Sequence, residues 1–138
     1  DWIRSVLAEG YKPRDIALFA RTEAILRDRA EAALLRAGLA GHHLSDDHPP
    51  STTDASFGTM HRAKGLEFKA VAVVGCDADV LPLSYAAAEL VDEADRDAHL
   101  DQERQLLYVA ATRARERLVL TSAGKASRFL TEPKRGRR

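Results

Sequence analysis

An intrachain disulfide is excluded, because the 138 residues contain one cysteine, Cys76. A reducing, intracellular setting is the default that follows. No stretch approaches the roughly 18 apolar residues that a membrane span needs, so no membrane is expected as a partner. Excess charge is missing too. Lys and Arg total 21, Asp and Glu total 21, and net charge points to no partner. Nor is there a GxxxxGK[ST] run, so the chain has no phosphate cradle of its own. The opening DWIRSVLAEG has neither a signal-peptide pattern nor an initiator methionine, and reads as a piece of a longer chain. The closing residues 132–138 read as a disordered basic tail.

What is present suits one globular domain. Hydrophobic residues make up 45%, enough for a real core over this length. Charge is uneven along the chain. Residues 77 to 103 hold nine acids and one base, Arg96, whereas residues 104 to 138 hold ten bases and two acids. Two readings stay open: a solvated acidic helix with a basic tail, or a partner-binding surface.

The periodicity predicts alternating strands and helices. Residues 2–9 form a short helix stopped by Gly10. IALFA, 16–20, is a buried strand. Thr22 caps a helix over 23–37, ended by Gly38. Residues 41–55 are a polar loop, with at most a short strand near Leu44. SFGTM, 56–60, is a strand, and HRAKGLE is a turn or short helix. KAVAVVG, 69–75, is the strongest strand signal. Residues 84–97 are helical. Residues 99–112 form a helix whose second half is apolar all round and therefore buried, Tyr108 included. RLVLTS, 117–122, is a final buried strand, and SRFL a last helical turn. Buried strands alternating with helices imply an α/β domain with a mostly parallel sheet and helices on both faces. Ligands of such sheets bind beyond the carboxyl ends of the strands.

Several side chains carry chemistry. Arg113 follows a nearly uncharged run, LLYVAAT, and its guanidinium fork matches phosphate. A cation at a helix C-terminus is also favoured by the dipole, by roughly 0.3–1 kcal/mol, without any ligand. Lys64 beside Gly65 suits a phosphate-approach turn. Glu67 can accept from a sugar hydroxyl or pair with Arg62 or Lys64. His42, His43 and His48 lack metal-site spacing and read as a solvated loop. Cys76 reads as a small buried hydrophobe.

TMHRAKGLEFKAVAVVG resembles motif V of the UvrD/Rep/PcrA-like superfamily 1 DNA helicases. ERQLLYVAATRARERLVLT resembles their motif VI, and DIALFARTEAILRDRAEAALLRAGL their segment IVa. The three occur in family order and cover most of the chain. The resemblance implies a RecA-like three-layer α/β/α domain over residues 1–131, the second (2A) motor domain of a 3′ to 5′ ATP-dependent helicase. ATP and Mg2+ would be shared with a Walker-bearing first domain that holds the metal ligands. Arg113 would be the catalytic arginine at the γ-phosphate. Glu67 would meet the ribose, with Lys64 and Gly65 shaping the turn beside the nucleotide. His61, Thr59, Arg21 and Thr22 would face single-stranded DNA. The setting implied is bacterial-type cytoplasm, associated with the nucleoid.

Departures from the family pattern accompany this. The large insertion (2B) usual between segment IVa and motif V is reduced to residues 39–58. Glu23 replaces a common asparagine, so that DNA contact is not assigned. Gln105 stands where arginine is frequent. DEAD, 92–95, lies in a polar helix after motif V and does not match a Walker B acid pair. The alternative is a non-catalytic binding module, such as an RNA polymerase remodelling factor or a nuclease-helicase subunit.

Overall fold

The computed structural model describes residues 1–45, 49–83 and 92–131. Its centre is a five-stranded, all-parallel sheet in the order β2-β3-β1-β4-β5. The strands are β1 (Ile16–Ala20), β2 (Gly41–His43), β3 (Ala55–Thr59), β4 (Phe68–Val73) and β5 (Ala114–Leu120). Central β1 is buried throughout, as its unbroken apolar run predicts.

Alternation splits the strand side chains between two cores. Ile16 and Leu18 join Phe57, Ala70 and Ala72 on one face. Helix α1 (Trp2–Ala8) covers that face through Ile3 and Val6, and helix α2, over residues 23–36, covers it through Leu26, Ala30 and Leu34. Ala17 and Phe19 join Phe68, Val71 and Val73 on the other face. There the cover is helix α3 (Glu93–Ala111), through Leu107 and Ala110, with Met60 and Ala63 from the segment after β3. The result is the three-layer α/β/α arrangement.

Helix α2 begins at Glu23–Ile25, where the Thr22 hydroxyl accepts from the Ile25 amide. It passes through a π-helical stretch, Leu26–Glu31, and closes as Ala32–Arg36. The widened stretch carries Arg29, which reaches Asp77 with two parallel hydrogen bonds of 3.1 Å. Helix α4 (Arg128–Thr131) is the last short turn.

Four expectations are corrected. Residues 41–43 form a strand, because Gly41 to His43 pair in register with Ala55 to Phe57. The expected helix over 84–97 continues into the next one from Glu93; Asp92 caps it by accepting from the Ala94 amide, and 84–91 lie outside the described residues. Tyr108 is not core but 62% exposed. The buried stripe of α3 is Glu103, Leu107 and Ala110, and residue 108 lies about 100° round from 107. Strand β5 is not buried: it is the sheet's edge, and Leu118 is 46% exposed.

Candidate functional site

Two groups of the singled-out residues lie at opposite edges of the sheet. One group follows the carboxyl ends of β1 and β3: Arg21 and Thr22 come after Ala20, and Thr59 sits beside Ala20 in register. His61 lies in the 3-10 turn Met60–Arg62 that leaves β3. The other group precedes the amino ends of β4 and β5, where Glu67 leads into Phe68 and Arg113 into Ala114. A five-residue parallel strand is about 16 Å long, so residues 60–67 cross most of the sheet's depth. Of the residues singled out from sequence, Arg21, Thr22, Thr59 and His61 lie at the carboxyl ends of strands. Glu67 and Arg113 stand at the amino edge, because the 60–67 segment and α3 each return against the strand direction.

At the amino edge the backbone holds Arg113 and Glu67 together. The Arg113 guanidinium donates to Val109 O at 3.0 Å, to Leu66 O at 3.4 Å and to Thr112 Oγ1 at 3.3 Å. The Phe68 amide donates to Arg113 O at 3.0 Å. Both neighbours of Glu67 in the chain are therefore bonded to Arg113. All three acceptors on the guanidinium are neutral, and among the described residues Arg113 has no carboxylate partner. Glu67 is exposed and forms no ion pair among the described residues. Before it, the Leu66 amide closes a four-residue turn onto Ala63 O, with Gly65 at φ +80° in third place. That φ at that position marks a type II turn and demands glycine. Lys64, at the tip, is exposed.

At the carboxyl edge a buried carboxylate organises the group. Glu103, 2% exposed, takes two bonds from Arg21 Nε at 3.0 and 3.1 Å, and Arg21 Nη2 forms an ion pair with its Oε2 at 2.9 Å. Its Oε1 also accepts from the Leu83 amide at 2.8 Å. His61 is exposed beside this pair. Partial desolvation and the Arg21 cation hold its pKa below the usual histidine value, against an opposing pull from Glu103. Thr22 spends its hydroxyl on the α2 cap. Glu103 was not singled out from sequence. Its signal was there: at i, i+4 and i+7 it shares a face with Leu107 and Ala110, so it had to be buried and to find a cation.

The tempting alternatives fall elsewhere. Glu23 meets His43 at 3.2 Å on the surface. Among the described residues no three His, Cys, Asp or Glu side chains are grouped to hold a metal ion, and no helix is long and apolar enough to cross a membrane. His48 lies outside the described residues.

A five-stranded parallel sheet with helices on both faces makes this an α/β domain of RecA-like type. The family model for the UvrD-like helicase C-terminal domain matches residues 18–125, and the chain belongs to that family. It is 41% identical over 76 residues to the ATP-dependent DNA helicase UvrD2 of Mycobacterium tuberculosis, which is 55% of this chain and 10% of that protein. It is 39% identical over 71 residues to the ATP-dependent DNA helicase PcrA of Bacillus subtilis, 51% of this chain and 9% of that one. The chain thus spans about a tenth of the length of these curated relatives. A crystal structure of the C-terminal domain of a possible DNA helicase from Lactobacillus plantarum WCFS1 superposes with a TM-score of 0.63. It covers 98% of this chain and 73% of its own length at 24% identity, a likeness of fold.

Proposed function

We propose that the chain serves as the second motor domain of an ATP-dependent DNA helicase or translocase moving 3′ to 5′. It works against a Walker-bearing first RecA-like domain of the same parent protein. The observation that carries this is the amino edge: a guanidinium with only neutral acceptors, locked beside an exposed carboxylate. A cation held ready without a counter-ion suits a ligand that brings negative charge.

ATP sits on the first domain, which supplies the phosphate cradle and the Mg2+ ligands. Arg113 leaves its weak 3.4 Å contact with Leu66 O and turns to the γ-phosphate. There it stabilises the charge spread over the equatorial oxygens during phosphoryl transfer. Glu67 accepts from a ribose hydroxyl, and the Lys64–Gly65 turn lines the nucleotide. At the opposite edge Thr22, Thr59, His61 and Arg21 face a single DNA strand, with His61 neutral at pH 7. Cleft closure on ATP moves this edge along the track through residues 60–67. By itself the chain hydrolyses no ATP.

Joining the chain to its Walker-bearing domain tests the assignment. DNA-stimulated ATPase is the expected activity, and Arg113→Ala lowers kcat by about 10³-fold. An unchanged kcat in that variant removes Arg113 from the reaction. Glu67→Ala raises KM for ATP more than it lowers kcat, as loss of a binding contact does.

A further inference from the structure

Two strand ends meet one face of α3. Glu103 takes the Arg21 guanidinium, which follows β1, and the Leu83 amide, which lies beyond β4. One helical turn earlier, His99 Nε2 lies 3.2 Å from Leu83 O and donates to it in the Nε2-protonated tautomer. Leu83 is therefore gripped on both its backbone groups by α3. Arg21 donates to Glu103 from Nε and pairs with it through Nη2, while Nη1 has no hydrogen bond among the described residues, and its side chain is 13% exposed. The Arg21 cation and the Glu103 carboxylate are both close enough to His61 to act on its charge, in opposite senses. Glu103 and Arg113 are ten residues apart on the same helix and its end, about 15 Å along the axis.

We infer that Glu103 is a positioning residue for the DNA-facing edge: its buried carboxylate orients Arg21 beside His61 and ties both to the helix that carries Arg113. The inference rests on the proposed function and deepens it. Residues 60–67 are one connection between the two edges, and α3 with Glu103 is a second. A carboxylate fits the role where an amide does not. It accepts from two faces at once, and it balances a guanidinium that is mostly removed from water. Arg21 then keeps Nη1 for a phosphate oxygen.

The test uses the 138-residue chain with Glu103→Gln, Arg21→Gln and both together. Glu103→Gln keeps an oxygen for the Leu83 amide and the shape of the site. The first readout is the NMR titration of His61, which needs no DNA. Arg21→Gln raises its midpoint by removing a nearby cation, and Glu103→Gln lowers it by removing the anion. Shifts in the same direction would overturn the cluster. The second readout is fluorescence anisotropy of an oligothymidylate across a salt series. Arg21→Gln weakens binding about tenfold and reduces the salt slope by roughly 0.7, the loss of one phosphate contact. Glu103→Gln weakens it by a similar factor, and the double variant binds no worse than either single one. Binding by Glu103→Gln at or above the wild-type level overturns positioning, since it would mean that Glu103 is idle or masks Arg21. If Arg21→Gln and His61→Ala both bind like wild type, the DNA-facing assignment falls and the positioning role with it. The His61 titration tells that failure from a misplaced Glu103.

Discussion

Cys76 shows how burial sets the chemistry of a single side chain. It is fully buried beyond β4, and its thiol donates to Val73 O at 3.5 Å. Burial, reinforced by the nearby Asp77 charge, pushes its pKa up to about 11. The thiolate is the nucleophile, so at neutral pH the group is inert. Iodoacetamide should leave Cys76 unlabelled in the native chain and label it once the chain is unfolded in guanidinium. Fast labelling of the folded protein would show that the strand end opens locally. Arg113 and Glu103 mark the limits of single-residue inference. Arg113 was conspicuous because it closes an uncharged run. Glu103 looked like one acid among many, because its cation, Arg21, lies 82 positions away.

At the level of elements, α2 packs so closely on the sheet that one position beyond β4 admits no side chain. A Cβ added to Gly75 would lie 2.5 Å from Ile25 Cγ2, and the residue holds φ +69°. Both effects oppose alanine. Gly75→Ala should lower stability by about 2–4 kcal/mol, the cost of overpacking added to a left-handed backbone. Urea unfolding measures this, and a midpoint equal to wild type would mean that α2 lifts off the sheet at little cost. The strands β1 and β4 were legible because unbroken apolar runs of five residues, IALFA at 16–20 and AVAVV at 70–74, have few other uses. Strand β2 was not. Its sequence, GHH, has no strand propensity, and only pairing with β3 makes it extended. The exposure of β5 was equally hidden, since an apolar run does not say whether a neighbour will cover it.

Across the whole molecule, Asp77 is the point where distant parts are fastened. It is 7% exposed and binds Arg29 of α2 and the Ala123 amide. The Arg29 hydrogen bonds hold its carboxyl below the ordinary range. A depressed carboxylate contributes stability that is complete above the unfolded-state value, about 3.9, and is lost as pH falls through the folded-state value. Arg29→Gln should therefore cost about 1 kcal/mol at pH 7, discounted because the arginine side chain is 36% exposed. The difference from wild type should vanish in the acid limb of a pH–stability curve. A gap that persists at low pH would assign the loss to packing instead. His61 adds to the acid sensitivity: its pKa is held below the ordinary histidine value, so protonation as pH falls below that ordinary value, about 6.5, disfavours the folded state.

The sequence by itself determined the layer architecture, the central strands, and the two segments that hold Arg113 and Glu67. Those features are local, set by runs of apolar residues and by short motifs read along the chain. Only the tertiary structure decided which edge each residue occupies. Parallel strands return their connections against their own direction, so neighbours in sequence such as His61 and Glu67 part to opposite edges. It also decided that Arg21 and Glu103 meet. A buried carboxylate must find a cation, but which one it finds depends on how the helix lies across the sheet.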